Sequence, residues 1–514
     1  MELGSDDFLK LLWSDARLVM PEIWLVGGMC AVILVPFVRR KDAMTFAVVA
    51  LAGLGAALVT ALPTIGRSEV VFSGMLAIDP FSQVFKVLLL LFTMFIVVQW
   101  LIVTRDQTNV LDVPDFMCLL LGATFGMALM ASANNLLAIF VATESASLPS
   151  FALAGFRKRH PLATEGSLKY VIFGAASSAV MIYGMSLIYG TTGSLGLAPI
   201  AAASSNMSPL LAVGLLAMFA GIAFKLSAVP MHFWCPDVFQ GAPIEVTTFL
   251  SVASKGAAVC LLVRVLAAFG ATGSHVGLMV GVGVLGAITA TWGNLVALHQ
   301  TNIKRLLAYS SIAHSGYMIM TASVIAVAPG VPEIRSVAGV ILFYLLIYSF
   351  MNLGAFTVAA VIARQTGTED ITEYAGMRSR SPLLAVLLSM FLLSLFGMPG
   401  LGGFMGKIYL MSGMVTAGKT AGLVLVAVLL INTLLSLYYY MRPVIYMYLT
   451  PDTEQRPSFV LHAPALAMLV ICAVVLLWTG LLPNMAGQLT TPYGVLASPT
   501  AVAPLADAAT TATP

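Results

Sequence analysis

Long apolar segments, each of about twenty residues or more, follow one another along nearly the whole chain, with only short polar connections between them. Only 9% of the 514 residues are charged, whereas 60% are hydrophobic. A soluble domain carries about 25% charged residues, because its surface faces water. The sequence therefore predicts a polytopic membrane protein, an all-α bundle of transmembrane helices.

The apolar pattern predicts about fourteen membrane spans within a single transmembrane domain, residues 1–482. In chain order the predicted spans are 20–38, 44–62, 82–104, 112–131, 134–155, 168–190, 209–238, 244–268, 275–298, 306–328, 336–363, 382–418, 421–446 and 459–482. The acidic start of the chain differs from the basic start of a cleavable signal peptide, so span 1 should stay in the protein. The tail, 483–514, is rich in Ala, Thr and Pro, and we expect it to be poorly ordered.

The distribution of basic residues among the loops predicts the orientation of the bundle. If the N-terminus lies outside, most of the loop Lys and Arg residues fall on the inner side, which is the bias that membrane proteins show. These residues include Arg39, Arg40, Lys41, Arg105, Arg157, Lys158, Arg159, Arg364, Arg442 and Arg456. We therefore expect both termini on the outer side, which is periplasmic in a bacterial inner membrane.

Sequence patterns for cofactors, metals and nucleic acids are weak or absent. None of the five cysteines is at C-x-x-C spacing, so the sequence does not predict iron–sulfur or zinc sites. A net charge of +3 does not argue for a nucleic-acid partner. The segment 281–286 matches G-x-G-x-x-G, but it lies inside an apolar span without a preceding strand. We interpret its glycines as helix-packing residues.

Four charged residues lie deep in predicted spans, where a charge costs at least ~2.5–3.5 kcal/mol. They are Glu144 in span 5, Lys225 in span 7, Lys255 in span 8 and Lys407 in span 12. Glu144 is the only acidic residue predicted to lie deep in a span. Because of this cost, such side chains should face the interior of the bundle.

Two interpretations of these charges are open. A static ion pair between Glu144 and one lysine would hold two helices together, but it leaves the other two lysines without a deep carboxylate. In the second interpretation the lysines change protonation state, because burial and a nearby carboxylate act on a lysine in opposite directions. We favour the second, a proton relay, because unpaired buried charges are so costly.

Spans 7 and 12 are longer than a membrane crossing requires, and each contains a proline, Pro230 or Pro399. Proline removes one backbone N–H and clashes with the preceding helical turn, so both spans should be broken. Broken helices near the bilayer midplane are typical of ion-coupled transporters. The two breaks are five spans apart, which predicts inverted five-helix repeats, spans 4–8 and 9–13.

Two histidines and a tyrosine are further candidates for proton transfer. His314 lies four residues after Ser310 in span 10, so both share one helix face. His232 follows the proline of span 7, and Tyr309 lies in the same polar stretch as His314. A histidine titrates near neutral pH and can pass protons. A histidine that only hydrogen-bonds two helices together is an equally good interpretation.

Other charges near span ends have simpler explanations. Lys86 and Lys169 are expected to extend toward the membrane surface with their charged ends in water. Glu165 and Lys169 are four residues apart, which predicts an ion pair at the inner end of span 6.

Three segments resemble one known family. They are residues 223–243 (AFKLSAVPMHFWCPDVFQGAP), 300–314 (QTNIKRLLAYSSIAH) and Leu168-Lys169-Tyr170. They resemble the antiporter-like subunits of respiratory NADH:quinone oxidoreductase, complex I, and among these the subunit N family. The resemblance covers roughly residues 70–450. The related subunit M carries a glutamate where Lys407 stands, and both sister subunits tend to carry histidines in place of Lys255. Ser145-Ala146-Ser147 departs from the leucines usual in subunit N.

The resemblance implies a proton-translocating unit of the membrane arm, without redox chemistry of its own. FMN, iron–sulfur clusters and quinone would belong to other subunits. The partners would be other membrane-arm subunits, including homologous antiporter-like subunits. An alternative is a subunit of a multi-subunit cation/proton antiporter, which would use the same lysines.

In the mechanism that this resemblance implies, Lys225 takes up a proton from the inner side, near the break in span 7. The proton passes by Lys255, with His314 as a candidate intermediate, to Lys407, which releases it outward. Glu144 would control Lys225, since a nearby negative charge stabilises a protonated lysine.

Overall fold

The structure of the protein is a computed structural model. It describes residues 5–38, 42–104, 109–204, 207–273, 275–327, 330–415, 419–451, 459 and 461–496. Over these residues the protein is a bundle of α-helices with one antiparallel hairpin, β1 (Glu69–Val71) and β2 (Leu76–Ile78). The predicted all-α transmembrane architecture is confirmed.

In chain order, the α-helices of the described residues are α1 (Ser5–Leu18), α2 (Met20–Val38), α3 (Ala43–Ala61), α4 (Pro80–Val103), α5 (Val113–Ser132), α6 (Leu136–Ala154), α7 (Pro161–Thr192), α8 (Leu197–Ala203), α9 (Pro209–Leu226), α10 (Trp234–Gly241), α11 (Ile244–Phe249), α12 (Lys255–Gly270), α13 (Val276–Ala297), α14 (Ile303–Ser323), α15 (Val331–Thr366), α16 (Met377–Arg380), α17 (Pro382–Phe396), α18 (Gly402–Val415), α19 (Lys419–Leu449), α20 (Ala463–Leu481) and α21 (Pro483–Gly487).

Within the described residues, thirteen helices or helical runs are long and apolar enough to cross a membrane. They match the predicted spans except span 12, which is divided into α17 and α18, of 15 and 14 residues. Span 7 is also divided, into α9 and α10. The helical run α11–α12, together with α14 and α15, is almost completely buried, whereas α2 and α19 lie at the periphery. Of the four charges singled out by the sequence, Lys255 lies on one of these interior helices, α12.

Polar side chains begin several of the helices by accepting hydrogen bonds from the free N–H groups of the first turn. The Asp79 carboxylate caps α4 by accepting from the N–H of Ser82. Asn135 caps α6, Ser208 caps α9 and Asn302 caps α14 in the same way. These polar groups separate the apolar runs and set where each span starts.

The break in span 7 begins where α9 ends. Ser227 adopts a left-handed conformation with φ of 53°, and the N–H of Ala228 donates a 2.8 Å hydrogen bond to the carbonyl of Ala223. This pattern closes the C-terminus of a helix. Pro230 follows and cannot continue the helix, since it has no N–H to donate.

The break in span 12 has the same local geometry. Gly397 has a φ of 97°, and the N–H of Met398 donates a 2.9 Å hydrogen bond to the carbonyl of Leu393. Pro399 follows directly. Both predicted breaks are confirmed, and their shared closing pattern agrees with the expected relation between spans 7 and 12.

Gly286, the last glycine of the G-x-G-x-x-G segment, lies where α13 packs against α14. A Cβ atom added at Gly286 would lie 2.8 Å from the backbone N of Met320 and 2.9 Å from the carbonyl oxygen of Gly316. Only a glycine allows the two backbones to come this close. The segment is therefore a helix-packing contact, as its apolar sequence context predicts.

The two ends of the chain differ in part from expectation. The helix α1 precedes span 1 and is not among the predicted elements. In the tail, residues 483–496 are packed: the N–H of Phe81 donates a 3.2 Å hydrogen bond to the carbonyl of Val495. Poor order was expected for this part too, and the apolar contacts of the tail with α15 and α20 explain the difference. Residues 497–514 lie outside the described residues, as do the basic residues 39–41, 105 and 456.

Candidate functional site

Glu144 and Lys225 are not in direct contact, and each of them is hydrogen-bonded to a different serine. Glu144, on α6, is partly buried and accepts a hydrogen bond from the hydroxyl of Ser178 on α7. Ser147 lies one turn further along α6 and accepts a hydrogen bond from Nζ of Lys225 on α9. The Glu144 carboxylate acts on Lys225 electrostatically, but no ion pair within 4 Å joins the two described side chains. A static ion pair at Glu144 is therefore not what the structure shows.

Aromatic rings complete the surroundings of Lys225, which is only 3% exposed. Its Nζ lies 5.7 Å from the ring centroids of both Phe151 and Phe224. Ring faces attract a cation, and they do so without offering a proton acceptor. Among the described residues, the hydrogen-bonding partner of the Lys225 side chain is the hydroxyl of Ser147.

Lys255 is the first residue of α12 and directly follows a π-helical turn, Leu250–Ser254. Its Nζ donates a hydrogen bond to the hydroxyl of Ser311 on α14 and lies 3.7 Å from Sγ of Cys235 on α10. The π-helical turn shifts the register of the helix, a device often found at functional sites. Lys255 therefore connects the second half of the broken span 7 with α14.

One face of α14 carries polar groups onward from Ser311. His314, one turn later, is 1% exposed, and both of its ring nitrogens lie within hydrogen-bond reach of tyrosine hydroxyls. Nδ1 meets the hydroxyl of Tyr344 on α15, and Nε2 lies 3.1 Å from that of Tyr440 on α19. The Tyr440 hydroxyl also meets Ser310. The shared face predicted for Ser310 and His314 is thus lined by hydroxyl partners from two other helices.

Tyr317 continues the same face of α14 toward Lys407. Its ring centroid lies 5.5 Å from that of His314 and 5.4 Å from Nζ of Lys407. Lys407, on α18, is 4% exposed, and its Nζ donates a 2.6 Å hydrogen bond to the carbonyl of Phe396. The polar face of α14 therefore extends from Lys255 at one end to Lys407 at the other.

Two of the candidate residues lie outside this row. His232 is buried against the rings of Phe233 and Trp292, and its Nδ1 has no hydrogen-bond partner among the described residues. Tyr309 is partly buried and interacts electrostatically with Arg305. The structure therefore brings together Lys255, His314 and Lys407, but it does not add these two residues to them.

Most of the hydroxyl groups that join the charges were missed from the sequence. They are the hydroxyls of Ser147, Ser178, Ser311, Tyr344 and Tyr440. Tyr317 meets Lys407 with its ring, while its hydroxyl accepts a hydrogen bond from Asn294. Ser147 and Ser311 could have been found, because each lies one helical turn from a candidate residue of the same span. The tyrosines of α15 and α19 could not, since only the tertiary structure brings these helices to α14.

Lys86 is the clearest correction among the remaining charges. It does not extend to the membrane surface: it is fully buried, and its Nζ lies 2.5 Å from a carboxylate oxygen of Glu22 on α2. The expectation failed because position along a helix does not show which neighbour a side chain faces. An acidic partner from another helix satisfies the charge where water cannot reach it.

The predicted ion pair between Lys169 and Glu165 is confirmed, with a separation of 2.6 Å. Lys169 also pairs at 2.6 Å with Asp237 of α10, and Arg305 of α14 pairs with the same carboxylate at 2.7 Å. Asp237 therefore ties α7 and α14 to the second half of the broken span 7. This network fixes the position of the half-helix that carries Cys235 beside Lys255.

Acidic residues are more numerous in the interior than the sequence pattern predicts. Glu144 is only partly buried, whereas Glu22, Asp79 and Glu245 are 3%, 0% and 1% exposed. All three lie at or near the ends of spans in sequence, which is why the apolar pattern did not mark them as deep. Across the described residues, no group of three or more His, Cys, Asp or Glu side chains could hold a metal ion.

Comparison with known proteins places this geometry in context. The family model described as "NADH:quinone oxidoreductase/Mrp antiporter, TM" matches residues 133–435. The chain is 36% identical to NADH-quinone oxidoreductase subunit N of Trichlorobacter lovleyi, over 92% of this chain and 95% of that protein. It is 38% identical to NAD(P)H-quinone oxidoreductase subunit 2 of Thermosynechococcus vestitus, over 94% of this chain and 91% of that protein.

Solved structures show the same similarity. A chain of respiratory complex I from Thermus thermophilus with bound aureothin is 33% identical, with a TM-score of 0.76, over 92% of this chain and 100% of that chain. A chain of the Mrp complex from Dietzia sp. DQ12-45-1b has a TM-score of 0.80 at 20% identity, over 95% of this chain and 98% of that chain. The second likeness shows a shared fold.

Proposed function

The chain belongs to the subunit N family of NADH-quinone oxidoreductase, and from this premise we propose that it is a proton-translocating membrane subunit of such a complex. It takes no part in electron transfer, since FMN, iron–sulfur clusters and quinone are bound by other subunits. Its partners are other membrane-arm subunits, including homologous antiporter-like subunits. It lies in a bacterial inner membrane with both termini on the periplasmic side.

The proton path that we propose runs from Lys225 past Lys255 to Lys407. Its main support is the polar face of α14, where Ser311 contacts Lys255, His314 meets two tyrosine hydroxyls and Tyr317 lies against Lys407. Hydroxyl and imidazole groups both donate and accept hydrogen bonds, so a row of them can pass a proton. These groups lie between the buried lysines Lys255 and Lys407, which supports a path for protons along this face.

Glu144 acts at the start of the path. When Glu144 is charged, it stabilises the ammonium form of Lys225, although the two side chains do not touch. Ser147, one turn from Glu144 on α6, accepts the hydrogen bond of Lys225 and donates its own to the carbonyl of Thr143. A change of charge at Glu144, driven from a partner subunit, would release the Lys225 proton toward Lys255.

Moving a proton across the membrane against the potential requires a moderate amount of work. Moving one elementary charge against 100 mV takes ~2.3 kcal/mol. A change in the charge next to a buried lysine alters the stability of its ammonium by a comparable amount, since one pKa unit corresponds to about 1.4 kcal/mol. Protonation of a few buried side chains can therefore carry the coupling, without any metal or cofactor bound by this subunit.

The test is reconstitution of the assembled complex in vesicles with Lys225→Ala or Glu144→Gln. Both variants should lower the number of protons moved per NADH oxidised. Lys158→Ala is the matched control, since its side chain is 74% exposed. Normal pumping by both variants, with normal NADH oxidation, would contradict the proposed path.

A cation/proton antiporter subunit would use the same lysines without electron transfer. The two possibilities differ in the chains that accompany this one. Purification in mild detergent should yield a large complex with NADH dehydrogenase activity. Recovery of a complex that exchanges cations for protons and oxidises no NADH would support the antiporter instead.

A further inference from the structure

Glu245 is a buried carboxylate that the proposed path from Lys225 to Lys407 does not use. It lies in the first turn of α11, is 1% exposed, and accepts a 3.0 Å hydrogen bond from the hydroxyl of Thr104. No ion pair within 4 Å involves Glu245 among the described residues. A buried charge without a paired charge is costly, so packing alone does not explain a glutamate at this position.

A cavity of about 420 Å³ lies next to Glu245. It is lined by the neighbouring residue Ile244 and by polar groups of several helices and loops, among them Arg157, His160 and Lys304. Arg157 and Lys304 both act electrostatically on the Glu245 carboxylate. A polar cavity of this size holds water. It lies on the face that the distribution of basic residues predicts to be the inner one, and the residue directly before Glu245 lines it.

A stripe of polar side chains leads from Glu245 along its own helix to Lys255. Thr248 and Ser251 follow at intervals of three residues, and Lys255 is four residues after Ser251, so a polar side chain recurs about once per helical turn. Both hydroxyl residues are fully buried. The Thr248 hydroxyl donates a 2.7 Å hydrogen bond to the carbonyl of Ile244, and the Ser251 hydroxyl donates one of 2.7 Å to that of Thr248.

Lys304 does not take the place of a partner for Glu245. Its Nζ lies 2.8 Å from a carboxylate oxygen of Glu369 and donates a 2.9 Å hydrogen bond to the carbonyl of Ala242. The charge of Lys304 is therefore already balanced at the cavity wall. Glu369, the carboxylate that lines the cavity, is therefore paired with Lys304, whereas Glu245 lies at the start of the stripe and has no ion pair within 4 Å among the described residues.

We propose that Glu245 accepts protons from the inner-side cavity and that the stripe Glu245–Thr248–Ser251–Lys255 delivers them to Lys255, as an uptake route separate from Lys225. A proton from cavity water converts the Glu245 carboxylate to the neutral acid. Transfer along the two hydroxyls to the neutral amine of Lys255 forms the ammonium and restores the carboxylate. This inference rests on the proposed function, since it feeds the same lysine.

The test compares Glu245→Gln and Thr248→Val with Lys255→Ala in the assembled complex, reconstituted in vesicles. Glutamine can still accept the hydrogen bond of Thr104, and valine matches threonine in shape, so both changes remove proton transfer with little change in packing. Each should lower the protons moved per NADH oxidised, by a smaller fraction than Lys255→Ala, because Lys225 can still supply Lys255 in these two variants. Glu245→Asp should restore part of the loss. Glu69→Gln, in the exposed hairpin, is the control and should pump normally.

The outcomes separate the two proposals. If Lys255→Ala lowers the proton ratio while Glu245→Gln and Thr248→Val do not, the stripe conducts nothing and this inference is overturned, while the proposed function stands. If Lys255→Ala and Lys407→Ala also pump normally, the proposed function fails with it. Should Glu245→Gln prevent assembly, Thr248→Val decides alone, since a normal proton ratio in that variant overturns the inference.

Discussion

Nζ of Lys407 donates a 2.6 Å hydrogen bond to the carbonyl oxygen of Phe396, the last residue of α17. The lysine of the second half-helix thus closes the C-terminus of the first half-helix across the break. The last carbonyls of a helix carry partial negative charge and stabilise a cation. Lys225 has no equivalent contact, because it belongs to the first half-helix and binds Ser147 of a neighbouring helix. Similar breaks therefore hold their lysines in different ways.

Replacement of Lys407 by arginine tests whether this lysine acts as a fixed positive charge or must lose its proton during the cycle. Arginine can still donate to the Phe396 carbonyl, but it does not deprotonate in proteins. We expect Lys407→Arg to assemble and yet to pump no better than Lys407→Ala, measured as protons per NADH in vesicles. Lys158→Arg is the exposed control. Full pumping by Lys407→Arg would mean that the lysine serves as a static charge.

Tyr440→Phe removes the hydroxyl that meets both His314 and Ser310. The ring stays, so stability should fall only by about 0.5–1.5 kcal/mol per hydrogen bond lost. The amount of assembled complex should fall little. The protons pumped per amount of complex should fall by a larger fraction, because proton transfer along α14 is interrupted. Tyr438→Phe is the matched control, because Tyr438 is 63% exposed on the same helix. Equal effects of the two changes would remove Tyr440 from the path.

The pair formed by Arg264 and Asp79 should be structural. Two guanidinium nitrogens lie 2.9 and 3.1 Å from the two carboxylate oxygens, and both side chains are buried. Asp79→Asn leaves a buried charge without its counter-ion, which costs about 3–5 kcal/mol. The midpoint of thermal unfolding in detergent should drop strongly. Glu69→Gln breaks an exposed pair with Arg67 and should cost at most about 1 kcal/mol.

The contact between α13 and α14 predicts opposite outcomes for alanine substitutions at two glycines of the segment 281–286. A Cβ at Gly286 would lie within 2.9 Å of backbone atoms of α14, whereas Gly281 has nothing within 4 Å. Gly286→Ala should therefore push α14 outward and lower both the yield of folded protein and its pumping. Gly281→Ala should be tolerated, and it should gain slightly in helix propensity. Similar thermal stability of both variants would contradict the packing assigned to this segment.

Much of the architecture could be predicted because its causes are local in the chain. A helix needs about twenty apolar residues to cross the hydrocarbon core of the membrane, so the spans can be recognised in the sequence as apolar runs. Pro230 and Pro399 each remove a backbone N–H within a span that is longer than one crossing requires, so the two breaks were predictable as well. The cost of a charge in lipid likewise marked Lys225, Lys255 and Lys407 before any contact was known.

The partners of these charges could not be predicted, because they come from distant parts of the chain. His314 meets Tyr440 across 126 positions of sequence, and Lys225 binds a serine 78 positions away. The same reason explains the error at Lys86, whose carboxylate partner lies on another helix. By itself the sequence determined which residues must avoid lipid. Only the packing of the helices decided which groups they meet there, because the face that a buried helix turns to each neighbour depends on all the helices together.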